Sequence, residues 1–327
     1  MTRTGSRSKI ALRVVNREKI PLAVLVTAAT LTLCCASGPR PQADMEKAEN
    51  SDDSSYVAQI EKWRSAREER LQREDGWLSL VGLFWLKPGA NGFGSDPGNR
   101  VVFPKGSSPG LAGTFRLDQG VVRVRVNPSV AVTHGGKLVR DMELKSDADG
   151  DPTVLRYNSL IFHVIRRGER FGIRVKDADS PARRNFKGME TFPVDPAWRI
   201  AAHLSPYDPP KKMSVPNVLG TPTEETSPGA IVFEVAGKSY RLDPVNEEGS
   251  EELFVIFGDK TNGNETYGGG RFVYAPRPGP DGKLVLDFNR SYNPPCVFSP
   301  YATCPLPPPQ NKLPIRIEAG EKTYGEH

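Results

Sequence analysis

The side chains best suited to chemistry crowd one stretch of this sequence, residues 257 to 321, where Arg271, Asp287 and Asn289 flank a tight turn. Gly279-Pro280-Asp281-Gly282 reads as that turn, proline fixing one φ and glycine taking a positive one. With Pro280 to Gly282 as a three-residue hairpin loop, Gly279 opposes Lys283, Ala275 opposes Asp287 and Val273 opposes Asn289. Side chains alternate along strands, so Phe272, Tyr274, Leu284, Leu286 and Phe288 share an apolar face, while Arg271, Asp287 and Asn289 share the other. A guanidinium reaching toward a carboxylate has two uses. One is a structural brace; the other is the wall of a polar pocket, with Asp287 as general base and Arg271 as electrostatic stabiliser. Thr266, Tyr267, Tyr292 and Asn293 lie close by on loops rich in Gly and Pro, where rigid β folds usually meet their ligands. The expected ligand-binding set is therefore Thr266, Tyr267, Arg271, Asp287, Asn289, Tyr292 and Asn293.

Cys296 and Cys304 belong to the same stretch. Their separation by VFSPYAT, with Pro295, Pro300 and Pro305 around them, favours an irregular bend that brings one Cα near the other, and an even pair in an oxidising compartment is most often bridged. A disulfide is the expectation, against a reactive thiol or a two-thiolate metal site. His134, His163, His203 and His327 form no H-x-H or H-E-x-x-H pair, so no metal site is indicated, and His163 and His203 read as half-buried strand residues.

Three other motifs fail on chemistry. GSSPG at residues 106 to 110 imitates a nucleophile elbow, but Pro109 follows Ser108 and has no N–H for an oxyanion hole. DADGD at residues 147 to 151 imitates a calcium loop, yet its glycine is misplaced and Asn158 stands where a bidentate Glu is needed. Gly268 to Gly270 precede a strand rather than a helix, with no Lys-Ser or Lys-Thr pair, so nucleotide binding and any cofactor drop out.

The elements that must position these residues are mostly strands. A helix capped at Ser54 or Ser55 and running through Arg73 shows Val57, Ile60, Trp63 and Leu71 near helical spacing. The apolar run Trp77 to Leu86 then reads as a buried strand. Short candidates follow at close intervals through Pro314 to Ile317, including a hairpin of 160–165 and 171–175 closed by RRGER. The fold class is mainly β, an antiparallel sandwich or open barrel with one N-terminal helix, its single domain spanning 56–327 with two sub-sheets near 77–145 and 153–327.

Residues 1–37 read as a signal peptide. Six cations against one anion there account for the whole formal net charge of +5, and Ile20 to Cys35 has secretory rather than membrane-spanning length. Cleavage after Ala36 or Ser37, or acylation at Cys34 or Cys35, would give a periplasmic protein or an anchored lipoprotein that meets the membrane only through this segment. Residues 38–55 lack aromatic and branched aliphatic residues, as a flexible tether would. The neutral remainder lacks the cationic surface that nucleic-acid binding requires.

EDGWLSLVGLFWLKPGANGFGSDP (74 to 97), GIRVKDADSPAR (172 to 183), FPVDPAWR (192 to 199) and VPNVLG (215 to 220) stand beside two longer blocks. These are FGDKTNGNETYGGGRF (257 to 272) and LDFNRSYNPPCVFSPYATCPLPPPQNKLPIRIEAGE (286 to 321). Together they resemble the domain of unknown function 1684 family, from about Trp63 nearly to the end. The resemblance implies a shared fold and motif block but no reaction. Two function classes follow: a binding or structural module of the envelope holding a small polar molecule or glycan, and a hydrolase-like enzyme built on Asp287 and Arg271.

Overall fold

The computed structural model describes residues 42–247 and 249–325, so the leader, with Cys34 and Cys35, lies outside the described residues, as does His327. The N-terminal helix, Gln42–Gln72, begins twelve residues before the expected cap. Ala, Met, Glu and Lys dominate residues 43–49, and such strong helix formers let the helix continue upstream of Ser54. The tether expected at 38–55 is thus helical backbone from Gln42 onward. Tyr56, Ile60, Arg67 and Leu71 are buried along one stripe.

The strands build two halves joined along a shared seam. In the first, a six-stranded sheet runs in the order Leu80–Trp85, Arg170–Asp177, Leu160–Arg167, Leu155–Tyr157, Thr133–His134 and Lys137–Leu138. It closes over a five-stranded sheet of Val101–Val102, Gly89–Gly94, Gly113–Asp118, Val121–Val126 and Asp141–Leu144. Pairing is antiparallel except between Phe93 and Val101. Their common core is aromatic: Phe93 packs on Phe115 at 4.6 Å and on Phe103 at 5.5 Å between centroids, and Phe162 closes the group 5.1 Å from Phe103. Each such ring contributes about 2–3 kcal/mol over its exposed state. Gly113 is forced by this packing, because a Cβ there would meet the Phe93 ring at 2.7 Å and the Arg125 carbonyl at 2.4 Å. The RRGER hairpin forms as expected, with Arg167 opposite Arg170.

In the second half, a four-stranded sheet runs Lys238–Leu242, Thr223–Val235, Arg199–Val215 and Lys283–Asp287, and a two-stranded sheet pairs Glu252–Phe257 with Arg271–Pro276. The divide between the halves falls after Asp177. The expected hairpin is corrected here. Its turn is real, with the Gly279 N–H donating to Lys283 at 3.0 Å and Gly282 at φ 76°. Beyond the turn the strands part: Arg271 sits opposite Phe257, and Asp287 opposite Arg199. The reason is the apolar character of both segments. Val273 and Ala275 meet Leu284 and Leu286 face to face across a core with Phe233, Phe257 and Phe288, which covers more apolar area than edge-to-edge pairing would. Pro314–Ile317, expected as a strand, is an irregular segment tied down by buried polar groups described below.

A third cluster forms the seam, where Leu80 of the first half meets Met213, Val215, Ile256, Phe272 and Cys304 of the second.

Candidate functional site

The charged residues singled out in the sequence turn inward. Arg271 is 0% exposed, and its guanidinium donates to Asp259 at 3.2 Å, to the Ile317 carbonyl at 2.9 Å and to the Ala319 carbonyl. Asp259 is completed by the Thr261 hydroxyl at 2.9 Å and the Ile317 N–H at 2.7 Å, while Thr266 bonds Thr261 at 2.8 Å. Burial lowers the pKa of Arg271 and the Asp259 carboxylate opposes that shift. This knot fastens the loop 257–270 to the C-terminal segment that failed to form a strand.

Asp287 belongs to a different knot. It accepts from the Tyr56 hydroxyl at 2.8 Å, and Asn289 donates to the same hydroxyl at 3.0 Å and to the Asp195 carbonyl at 2.8 Å. Arg290 is its cation, at 3.5 Å. Burial first, then the Asp287 hydrogen bond, pushes the Tyr56 hydroxyl well above its ordinary pKa, so it stays a donor. Asn293 forms a third anchor. Its N–H donates to Glu321 at 2.7 Å and its carbonyl accepts from Arg67 at 3.0 Å, while Arg67 also pairs with Glu321 at 3.1 Å. Arg271, Asp287, Asn289, Asn293 and Thr266 therefore do not converge on a pocket; they pin the helix and loops to the sheets. The Arg271–Asp287 acid and cation pairing expected for hydrolysis is not made.

Tyr292 is different. It lines a cavity of about 450 Å³ with Trp63, Trp77, Phe254, Phe272, Tyr274, Pro295, Arg67, Arg70 and Glu252. Opposite pairing of Phe254 with Tyr274 puts these rings on the face of the two-stranded sheet turned away from the core. Glu252 follows the same alternation. The helix supplies the facing wall, since Trp63, Arg67 and Arg70 recur at helical spacing. Tyr274 and Tyr292 stack 6.3 Å apart at 13°, Phe272 meets Tyr292 edge-on at 5.7 Å, and the Arg67 guanidinium lies 4.7 Å above the Tyr292 ring. Burial, then the nearby Glu247 carboxylate, raises the Tyr274 hydroxyl to about 12, and it donates to Glu247 at 3.2 Å. Among the described residues Arg70 makes no ion pair, so its charge is available at the rim. The sequence reading found Tyr292 and missed the rest. The signal was present: Leu253, Val255 and Phe257 alternate with Phe254 and Ile256, so both faces of that strand are apolar and the outer one needs a cover or a ligand.

A larger cavity, about 590 Å³, is bordered by Gly268 to Gly270, Asn262, Lys260 and Lys312. His163 is half-buried in a third of about 460 Å³, and burial first, then Arg174, lowers its pKa to about 4. His203, expected as half-buried, is exposed. Ser108 is a loop residue whose hydroxyl donates to the Pro109 carbonyl. Asp149 caps its own turn through Ser146, and Asp147 pairs with Arg167 at 2.9 Å. Among the described residues no three His, Cys, Asp or Glu side chains are grouped to hold a metal.

Cys296 and Cys304, expected as a disulfide, stand in this structure as two free thiols. They are nonetheless in contact, the Cys296 N–H donating to the Cys304 Sγ at 3.1 Å. Tyr267 leaves the ligand set and joins this pair, its hydroxyl bonded to the Cys296 thiol.

Comparison with known proteins places this geometry in context. A family described as protein of unknown function (DUF1684) matches residues 184–322, which include Arg271, Asp287 and Asn293 of the three knots and Phe254, Phe272, Tyr274 and Tyr292 of the aromatic cavity. No curated protein matches the chain. Among solved structures it is similar to the solution NMR structure of the uncharacterized protein from gene locus rrnAC0354 of Haloarcula marismortui, at 33% identity. That match covers 45% of this chain and 82% of the other, with a TM-score of 0.38.

Proposed function

Because the chain belongs to the DUF1684 family, whose description carries no reaction, we propose from the site alone that the protein is a binding module holding a small glycan with an acidic substituent in the aromatic cavity. One observation carries this reading. Six aromatic side chains surround a single cavity of about 450 Å³, within the range of small-molecule sites, with the cation of Arg70 at its rim. Flat rings offer apolar faces to the C–H faces of a sugar, and tyrosine hydroxyls with Glu252 offer polar partners to its hydroxyls. Arg70 then selects for a carboxylate or other anion by a charge-assisted bond. The buried knots around Arg271, Asp287 and Asn293 hold the two walls in register, as a preformed site requires.

Function in the envelope fits the same reading, with residues 1–37 as an export signal and Cys34 or Cys35 as a lipid attachment point. The support is the charge and length pattern of that segment.

Trp63 and Trp77 both line the cavity, so tryptophan fluorescence reports on its occupancy. Titration with matched acidic and neutral oligosaccharides should quench or shift emission with the acidic ones at lower concentration. Arg70→Ala should weaken acidic ligands about tenfold or more and leave neutral ones nearly unchanged, a loss matching one charge-assisted bond of about 1.5–3 kcal/mol. No response to any glycan, or equal affinities in the Arg70→Ala protein, would refute the proposal.

A further inference from the structure

We propose that Cys296 and Cys304 form a redox-active dithiol that reacts with disulfides, Cys296 as the attacking sulfur and Cys304 as the resolving one. The inference is independent of what fills the aromatic cavity. It begins with an orphan. Arg174 is 7% exposed, its Nε is enclosed without a hydrogen-bond partner, and among the described residues no carboxylate lies in salt-bridge reach of its guanidinium. It stands directly opposite His163 in the sheet, two residues from Lys176, with the Trp77 ring 5.3 Å away. The nearest acid that acts on it, Asp147, is already paired with Arg167. Burying a cation without an anion is costly, so such a residue needs a negative charge supplied in some other way.

One group able to carry it is Cys304, whose Sγ accepts from the Cys296 N–H at 3.1 Å, so that the two cysteines are in contact. Cys304 and Arg174 lie within each other's electrostatic reach across the seam between the two halves. A hydrogen bond from Cys304 first, with one from Tyr267 behind it, draws the Cys296 thiol down to about 7 against the opposing effect of burial. The same contact pushes the Cys304 thiol up, so one negative charge is shared by the pair and rests on Cys296. The groups acting on Cys296 are the Cys304 thiol and the Tyr267 hydroxyl, both donors, while Arg174 acts on Cys304 and favours its thiolate in the resolving step. Access matches the roles, since Cys296 is half-buried and reachable while Cys304 is 4% exposed behind it.

The chemistry balances without a further reagent. The Cys296 thiolate attacks one sulfur of a disulfide RS–SR, forming Cys296–S–S–R and expelling RS⁻. The Cys304 thiol gives up its proton, which the expelled thiolate takes to become RSH. Its sulfur then attacks the Cys296 Sγ, forming the Cys296–Cys304 bond and expelling the second RS⁻, which is protonated by solvent. Two protein thiols are oxidised by two electrons, and one disulfide is reduced to two thiols.

The full chain, reduced and desalted, is treated with glutathione disulfide and its cysteines read by peptide mapping, so that Cys34 and Cys35 are scored separately. In Cys304→Ser the mixed disulfide should accumulate on Cys296; in the parent chain it should pass to a Cys296–Cys304 bond that reduced glutathione reopens in the folded protein. Iodoacetamide at pH 7 should alkylate Cys296 roughly fivefold faster than free cysteine, and Arg174→Gln should slow closure of the Cys296–Cys304 bond severalfold. Tyr267→Phe, a smaller change that keeps the packing, should slow alkylation of Cys296. The proposal is overturned if Cys296 in Cys304→Ser takes up glutathione only after denaturation, or alkylates no faster than free cysteine. It is equally overturned by a Cys296–Cys304 bond that reduced glutathione cannot open in the folded chain, which would mark a purely structural bridge. An unchanged alkylation rate in Tyr267→Phe would overturn the assignment of Cys296 as the activated thiol, and an unchanged closure rate in Arg174→Gln would overturn that of Cys304 as the resolving one.

Discussion

Arg271 offers the sharpest test of the buried framework, because sequence and structure assign it different partners. At 3.2 Å from Asp259 and with both side chains at 0% exposure, the gross attraction is about 5 kcal/mol at an effective dielectric constant near 20. Desolvation of both groups offsets much of that, so the net value of the pair is small, but removing one partner alone leaves a buried charge and costs about 3–5 kcal/mol. Arg271→Ala should sit near the lower end, about 3 kcal/mol, because Asp259 keeps the Thr261 hydroxyl and the Ile317 N–H. For a domain of this size that corresponds to a fall in Tm of roughly 6–10 °C. Urea unfolding of Arg271→Ala, Asp259→Asn, Asp287→Asn and the two double variants measures the couplings directly. Arg271 and Asp259 should couple by about 1–3 kcal/mol, whereas Arg271 and Asp287 should add within about 0.5 kcal/mol. A larger coupling to Asp287 than to Asp259, or a loss under about 1 kcal/mol for Arg271→Ala, would refute the assignment.

His163 gives a pH prediction with a definite sign. Its folded pKa of about 4 lies below the ordinary value of 6.5, so the unfolded chain takes up a proton that the folded one refuses. Stability from this group is complete above about pH 6.5 and falls as the pH drops toward 4, by at most about 3 kcal/mol. Comparing urea midpoints at pH 7 and pH 4.5 should show that His163→Gln removes a measurable part of the acid-side loss; identical slopes in both proteins would contradict it. For export, the intact mass of envelope-extracted protein should lack roughly the first 33 residues, with a diacylglycerol on Cys34 or Cys35 if the anchor is lipid. A mass that retains Met1 to Leu33 would reject processing.

Much of the architecture was legible in local patterns. Alternation and turn residues marked most of the strands, helical spacing marked Ile60, Trp63 and Leu71, and the two long motif blocks pointed to the DUF1684 family that residues 184–322 match. The turn at Gly279 to Gly282 was read correctly because proline and glycine act on their own φ, a property of the residue itself. The same segment misled beyond the turn. Val273, Ala275, Leu284 and Leu286 are apolar whether their strands pair side by side or pack face to face, so periodicity could not choose between Asp287 and Phe257 as the residue opposite Arg271. That choice depends on which arrangement covers the most apolar surface once distant strands are present, and only the folded chain decides it. The cavity has the same origin. Trp63 and Arg70 come from the N-terminal helix, Trp77 from the turn after it, and Phe254, Tyr274 and Tyr292 from strands and loops far along the chain. Sequence determined that each would be aromatic or charged; the seam between the two halves determined that they would face one another, because covering the outer apolar face of a two-stranded sheet requires a helix that arrives from elsewhere.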